Sequence, residues 1–115
     1  MHEVDLARDI VELAVEEAQR LEAVRVHAVH LKVGRLAGVD AGALDFAFDS
    51  ASANTVLAGA RLQVIDVPLV VWCAHCLAER TLPRVNDFHC PICGIAAGEI
   101  RQGRELEIAS LEIET

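Results

Sequence analysis

The stretch Cys73-Ala-His-Cys76, followed by Cys90-Pro-Ile-Cys93, contains all four cysteines of this 115-residue chain. Two C-x-x-C pairs joined by a short segment can bring four thiolates onto one tetrahedral ion, which is the geometry of closed structural zinc sites. No cysteine is left over for catalysis or for a disulfide elsewhere. The sequence therefore predicts a structural zinc site whose ligands are Cys73, Cys76, Cys90 and Cys93.

Other uses of the cysteine pairs are possible. Thiolates favour zinc or iron over hard cations, so a one-iron site of the rubredoxin type is an alternative. A redox C-x-x-C is disfavoured because neither pair has a βαβ context. Gly94 allows a tight positive-φ turn after the second pair, whereas Leu77 follows the first pair, which we expect to be less regular. His75 and His89 adjoin the cysteines, and we expect them to face solvent rather than replace a thiolate.

The residues on both sides of the cysteine segment have the patterns of helices and strands. Apolar residues recur at helical spacing from Val4 to about Leu21, with charged residues on the opposite face, which predicts an amphipathic helix. Residues 24–33, 61–67 and 105–114 alternate as strands do, and the last changes phase at Ala109-Ser110, as at a bulge or a switch of side. Asp40 stands at the N-cap position of a second helix.

These elements predict an α+β fold, a small three-stranded sheet with two helices on one face, plus an inserted zinc-ribbon module. The module interrupts the chain between the second and third strands. We expect residues 1–68 together with 105–115 to form one α+β domain and residues 69–104 to form the zinc-ribbon domain.

Charge and hydropathy exclude several classes of protein. The net charge is −8, which disfavours binding to a nucleic-acid backbone, although residues 69–104 by themselves carry +1. Acidic and basic residues interrupt the first apolar residues too often for a signal peptide, and no apolar run is long enough to span a membrane. We therefore expect a cytoplasmic protein without nucleic-acid or membrane partners, in a reducing compartment where paired cysteines bind metal.

The first three residues, Met1-His2-Glu3, offer a second and different metal site. The α-amine of Met1, the amide nitrogen of His2 and its imidazole are contiguous donors that can form fused chelate rings. Ni(II) and Cu(II) prefer such planar arrays of nitrogen ligands. Glu3 adds a carboxylate, although it can also simply complement the dipole of the first helix.

Several motifs along the chain resemble the HypA/HybF family of hydrogenase nickel-incorporation proteins. They comprise Met1-His2-Glu3, the turn Val33-Gly34-Arg35-Leu36-Ala37-Gly38-Val39, Leu44-Asp45-Phe46-Ala47-Phe48, Gly59-Ala60-Arg61-Leu62, both cysteine pairs, Phe88-His89-Cys90-Pro91-Ile92-Cys93-Gly94 and the closing stretch 105–113. The resemblance covers nearly the whole chain, in order. The amino-terminal motif and the cysteine pairs are independent features, which makes the resemblance specific.

The resemblance implies a nickel metallochaperone for [NiFe]-hydrogenase maturation, and not an enzyme. Its expected partners are a GTP-hydrolysing maturation protein and the hydrogenase large-subunit precursor, while the oligomeric state stays open. The resemblance makes His2 the essential nickel ligand and Glu3 a supporting one, and it makes the four cysteines the structural zinc site. The fourth nickel donor is left open among four residues: Glu3, Asp40, His75 and His89.

Three competing functions remain open from the residues themselves. A zinc ribbon that binds nucleic acid or protein would need a basic or aromatic face, but residues 70–100 contain only Trp72 and Phe88 as aromatics. A one-iron electron carrier would be isolated as a red, iron-loaded protein. A metal-storage protein would need more His or Cys donors outside the zinc site.

Overall fold

The computed structural model describes residues 2–115, and Met1, whose α-amine was predicted as a nickel donor, lies outside the described residues. The chain forms two compact units. The first contains residues 2–32, 39–65 and 107–115, and the second contains Val33–Gly38 and Asp66–Leu106. No helix in the described part of the chain is both long and apolar enough to cross a bilayer.

The first helix, α1, extends over Glu3–Arg20 and confirms the predicted amphipathic helix. Glu3 and Asp5 in the first turn and Arg20 in the last turn complement the helix dipole. The buried stripe contains three alanines, which allow a close approach to the helix that packs against α1. Its members are Leu6, Ala7, Ile10, Val11, Ala14 and Ala18.

Two of the leucines that recur at helical spacing along α1, and that we expected on its apolar face, are not buried. Leu13 is 57% exposed and Leu21 is 39% exposed. The buried stripe is centred on the side of Ala7, Val11 and Ala14, so Leu13 lies beyond its edge. Leu21 is the C-cap residue and follows the last helical turn.

The second helix, α2, extends over Ala41–Ser52 and begins at the predicted N-cap. The Oδ1 atom of Asp40 accepts a hydrogen bond from the amide of Ala43 at 3.0 Å, which satisfies one of the free N–H groups of the first turn. Leu44 and Phe48 are fully buried and pack into the core of the first unit.

Three strands form the sheet that was predicted from the flanking sequences. They are β1 (Arg25–Gly34), β2 (Arg61–Val67) and β6 (Leu106–Glu114), in the order β2-β1-β6. Hydrogen bonds from Val24 N to Glu114 O at 2.8 Å and from Gly34 N to Glu105 O at 2.7 Å make β1 and β6 antiparallel. The burial of β6 changes phase between Ala109 and Ser110, as expected from its sequence.

A second three-stranded sheet lies in the inserted segment and was not predicted. Its strands are β3 (Val70–Cys73), β4 (Ala78–Thr81) and β5 (Ile100–Gln102), in the order β4-β3-β5. Leu69, Val71 and Leu82 are the buried residues of a small core, and Leu36, Phe88, Ala97 and Ile100 pack against it.

Two glycines of the second unit bring backbone segments into contact. A Cβ atom at Gly34 would lie 2.1 Å from the carbonyl oxygen of Gly103, and Gly103 itself has φ +122°. Only glycine fits at position 34, because even the smallest side chain would overlap the opposite backbone.

The α+β fold with an inserted cysteine module is thus confirmed. The boundaries at 68/69 and 104/105 stay a prediction about domains, since compactness alone does not establish that either part folds independently.

Candidate metal centre

The first cysteine pair lies on a β-hairpin. Strands β3 and β4 pair antiparallel from Val70 opposite Thr81 to Cys73 opposite Ala78. Cys73 therefore ends one strand, and Cys76 lies in the turn. The amide of Cys76 donates to the Sγ atom of Cys73 at 3.4 Å, and Leu77 closes the turn with φ +54°.

The second cysteine pair also lies in a turn. The amide of Ile92 donates to Cys90 Sγ at 3.4 Å, and the amide of Gly94 donates to the carbonyl of Cys90 at 2.8 Å. Gly94 has φ +77°, as its sequence position predicts. Leu77 adopts the corresponding left-handed conformation in the first pair. That the first pair is less regular than the second stays a prediction. A leucine occupies a backbone conformation that usually requires glycine.

The four sulfur atoms converge on one point. Cys73 Sγ lies 3.6 Å from Cys93 Sγ, and Cys76 Sγ lies 3.9 Å from Cys90 Sγ. All four sulfurs lie within 4.8 Å of one another. A tetrahedral zinc ion with Zn–S bonds of about 2.3 Å separates its sulfur ligands by about 3.8 Å. The observed spacing therefore fits one tetrahedral ion and is far too long for a disulfide.

The electrostatics of the cluster favour a cation at its centre. The pKa of Cys90 is lowered to about 6, first by the backbone N–H of Cys93 and then by that of Ile92, against the effect of burial. The pKa of Cys93 is raised to about 12: the Ile95 amide opposes this shift, but burial and the neighbouring thiols outweigh it. One thiol ionises readily and its neighbour resists a second negative charge. A divalent cation bound between the sulfurs would stabilise both groups as thiolates.

The two histidines beside the cysteines are not members of the cluster. His75 is exposed. His89 is 64% exposed, and its Nδ1 atom lies 2.8 Å from Asp87 Oδ1. This contact and the backbone N–H of His89 lower the pKa of the Asp87 carboxyl.

His2 precedes α1 directly. It occupies the N-cap position in an extended conformation (φ −90°, ψ 125°), and its side chain is exposed and makes no capping hydrogen bond. Its carbonyl oxygen accepts from the amide of Leu6 at 3.1 Å. The imidazole is thus not used to hold the helix start.

Two carboxylates lie near this terminus. Glu3 Oε2 accepts from the amide of Asp40 at 3.4 Å, which joins the start of α1 to the start of α2. His2 and Glu3 also line one end of a groove of about 500 Å³ between the two helices. Within residues 2–115, however, the four cysteines are the only group of three or more His, Cys, Asp or Glu side chains close enough to share one ion.

Arg80 was not predicted to belong to this region. It lies on β4, four residues after Cys76, and the nearby Cys76 thiol, followed by that of Cys90, raises the pKa of its guanidinium. The sequence could have indicated Arg80 only if the first cysteine pair had been assigned to a β-hairpin. Alternation along that hairpin places residues 78 and 80 on the face of Cys73.

Comparison with known sequences identifies the family. Residues 1–113 match the HypA family, described as hydrogenase/urease nickel incorporation, metallochaperone. The chain belongs to the HypA family. This is a family of metallochaperones and not of enzymes, in agreement with the expectation from the sequence.

Relatives and solved structures in the HypA family resemble the chain over its whole length. A hydrogenase maturation factor HypA from Roseiflexus sp. (strain RS-1) is 48% identical over 114 residues, covering 99% of this chain and 93% of the relative. The Chloroflexus aurantiacus (strain ATCC 29366 / DSM 635 / J-10-fl) protein of the same name is 47% identical over 112 residues, covering 97% and 98%.

Two solution structures share the fold. One, described as HypA protein, has a TM-score of 0.70 at 25% identity and covers 98% of this chain and 96% of its own. The other, the Ni metallochaperone HypA from Helicobacter pylori, has a TM-score of 0.69 at 22% identity and covers 100% and 99%.

Proposed function

We propose that this HypA-family chain binds Ni(II) at its amino terminus and delivers it to the precursor of the [NiFe]-hydrogenase large subunit. A single observation carries this proposal. The His2 side chain lies exposed at the start of α1 and makes no capping hydrogen bond, so it can bind an ion without loss of a structural contact.

The donors available to nickel at this terminus are nitrogen atoms and carboxylates. The imidazole and amide nitrogens of His2 suit Ni(II), and the Met1 amine completes a chelate of contiguous nitrogens. Glu3 is a supporting ligand from the first turn of α1. The fourth donor is proposed among Glu3, Asp40, His75 and His89. Because Glu3 already contacts the Asp40 amide, those two carboxylates are the nearest candidates described at the terminus.

The four-cysteine cluster has a different role in this proposal. Cys73, Cys76, Cys90 and Cys93 hold a structural Zn(II), since a closed set of four thiolates leaves no position open for exchange. The amino-terminal site, by contrast, has few protein ligands and is open to solvent. An exposed site with few ligands releases its ion to a stronger, thiolate-rich acceptor by ligand exchange.

The proposed partners are those that the resemblance of the sequence implied. They are a GTP-hydrolysing maturation protein and the hydrogenase large-subunit precursor, and we propose that the chain acts in the cytoplasm. The relatives cited above are named hydrogenase maturation factors, which supports a hydrogenase rather than a urease as the recipient.

The test is metal counting by native mass spectrometry on protein with an untagged amino terminus. Wild-type protein is compared with His2→Ala, with Ni(II) added to both. We expect one zinc in both proteins and one nickel in wild type only.

His27→Ala is the matched control, because His27 is also an exposed histidine of the first unit but lies on β1. It should bind nickel as wild type does. Equal nickel binding by wild type and His2→Ala would refute His2 as the functional ligand.

A further inference from the structure

A groove follows the seam between α1 and α2. Its first part, of about 500 Å³, extends from the amino terminus to Arg8, and a second part, of about 490 Å³, continues along α1 to Glu16. Arg8 and Ala51 line both parts, so the two cavities form one groove, which we call the helix groove. At about 1.5 Å per residue, the stretch of α1 from Val4 to Val15 is about 17 Å long, the length of about three helical turns.

One stripe of each helix lines the helix groove. The lining residues recur at helical spacing: Val4, Arg8, Val11 and Val15 on α1, and Ala43, Phe46, Ala47, Ser50 and Ala51 on α2. Most of them are apolar or small, so another chain can approach α2 closely. Phe46 is 81% exposed and Val4 is 47% exposed. Large apolar side chains exposed together beside a groove mark an interaction site.

The two helices that form the groove are acidic. Helix α1 contains six acidic and two basic residues, and α2 contains two acidic and no basic residues. Glu12 and Glu16 line the groove and have no salt bridge within residues 2–115. The guanidinium of Arg8, which also lines the groove, lies 3.9 Å from the Asp5 carboxylate. The helix groove thus combines an apolar lining with a negative charge.

We propose that the helix groove binds an amphipathic helix of a partner protein, whose apolar face packs against Phe46 and Val4 and whose flanks carry lysine or arginine. Amphipathic helices bind apolar grooves through side chains at positions i, i+3, i+4 and i+7, which is the spacing of the lining residues on α2. Basic flanks complement the acidic helices, and such complementarity selects the partner. A second copy of this chain is a poor occupant, because its own α1 and α2 would bring like charges together.

A helix in this groove lies beside the proposed nickel ligands. His2 and Glu3 line the amino-terminal end of the groove. The docking itself does not depend on nickel, because its apolar and ionic contacts come from other residues. It is therefore tested without added nickel, and its failure leaves the nickel proposal standing.

The experiment measures the binding of three fluorescein-labelled peptides to the full-length protein by fluorescence anisotropy. The first peptide is an amphipathic helix of about 15 residues with leucine on one face and lysine elsewhere. The second has glutamate in place of every lysine, and the third has the composition of the first in an order without an apolar stripe. We expect the first peptide to bind at least about tenfold more tightly than the other two, because only it offers both the apolar face and the positive charge.

Variants of exposed residues locate the bound peptide. Phe46→Ser should weaken binding of the first peptide by about tenfold, since aromatic anchors dominate such interfaces. Leu13→Ser is the matched control and should bind as wild type does, because Leu13 is an exposed apolar residue of α1 that does not line the groove. Ser50→Lys places a bulky cation in the groove and should also weaken binding. Its control is Gln19→Lys, at an exposed position of α1 outside the groove.

Three outcomes would overturn the proposal. Equal binding of the first and third peptides would mean that net charge alone accounts for the binding. Equal losses in Phe46→Ser and Leu13→Ser would place the peptide elsewhere. Sedimentation of the free protein decides about a second copy: a wild-type dimer that dissociates in Phe46→Ser would show that another copy of the chain occupies the groove.

Discussion

At the scale of single residues, Leu77 and Gly94 deserve comparison because they perform the same task with different side chains. Each follows the second cysteine of its pair, and each has positive φ, +54° and +77°. A left-handed conformation costs an ordinary L-residue about 1–2 kcal/mol. Leu77 is 74% exposed, so packing does not compensate for this cost.

We predict that Leu77→Gly and Gly94→Ala change the free energy of unfolding in opposite directions. Gly94→Ala should lower the free energy of unfolding of the zinc-loaded protein by about 1 kcal/mol. This loss should come from the backbone conformation alone, because a Cβ at this position meets nothing within 4 Å. Leu77→Gly should raise it by up to about 1 kcal/mol, since the relieved strain exceeds the entropy that glycine adds to the unfolded chain. Denaturant unfolding at fixed zinc concentration measures both.

Gly98→Ala is the control for these two variants. A Cβ at Gly98 makes ordinary contact with the Trp72 carbonyl oxygen at 3.6 Å, and Gly98 does not have positive φ. Its stability should change little. A stability change of the same sign in Leu77→Gly and Gly94→Ala would contradict the assignment of backbone strain to position 77.

At the scale of secondary structure, Asp40 combines a cap with a candidate metal ligand. Asp40→Ala should lower stability by about 1 kcal/mol, because the first turn of α2 loses its side-chain acceptor. Asp40→Asn should keep that stability, since an amide oxygen caps a helix as well as a carboxylate does. Thermal unfolding of the three proteins tests the cap.

The same pair of variants tests nickel binding by Asp40. If the carboxylate binds the ion, Asp40→Asn will bind nickel more weakly while it unfolds as wild type does. Nickel binding by Asp40→Asn that equals wild type would restrict the role of Asp40 to the cap.

Side-chain pairs that depend on pH join Glu112 of β6 to residues of β1 and β2. His30 Nε2 lies 2.8 Å from Glu112 Oε2, and Arg61 Nη2 lies 3.3 Å from the same oxygen. The hydrogen bond with His30 chiefly, and the charges of Arg61, His30 and His27, lower the pKa of Glu112 from its ordinary 4.5. A carboxyl with a lowered pKa in the folded state stabilises the fold above its ordinary pKa, and this contribution is lost as pH falls through the folded-state value.

Glu112→Gln should therefore flatten the loss of stability below pH 4.5 and should be less stable than wild type at neutral pH. Unfolding free energies measured from pH 7 to pH 3 test this. Glu107→Gln is the control, because Glu107 lies on the same strand and has no salt bridge among the described residues. A Glu112→Gln profile that follows wild type over the whole range would show that the pair contributes nothing.

At the scale of the whole molecule, the sequence predicts the elements with long patterns and misses the short ones. Helix α1 and strands β1, β2 and β6 have seven or more residues, which is enough for their periodicity to be read. Strands β3, β4 and β5 have only three or four residues, so alternation gives no usable signal.

The candidate metal site likewise has features that the sequence predicts and features that it does not. The cysteine spacing predicts the sulfur cluster, because four ligands on two turns have few other ways to converge. The position of Arg80 depends on the pairing of β3 with β4, and therefore on the sheet that the sequence does not reveal. The left-handed Leu77 is equally hidden, since leucine is a poor indicator of positive φ.

Removal of the metal should affect the two units unequally. The second unit has a small core, in which partly buried residues surround a cluster of three buried aliphatic side chains that contribute about 1.5–3 kcal/mol each. We therefore expect metal ligation to supply much of its stability. A strong chelator should sharply increase amide hydrogen exchange in peptides from 70–102 and leave α1 and α2 nearly unchanged, as mass spectrometry would show. An equal increase in both units would contradict separate stabilisation by the metal.

The neighbourhood of Trp72 has an optical consequence. The chain contains one tryptophan and no tyrosine, and this indole lies next to Cys73 and beneath the Arg101 guanidinium. Its indole emission consequently comes from the inserted segment, because the helices contain neither tryptophan nor tyrosine. We therefore expect the intensity and wavelength of this emission to report, without labelling, on the state of the cysteine cluster while nickel is added to test the proposed amino-terminal site.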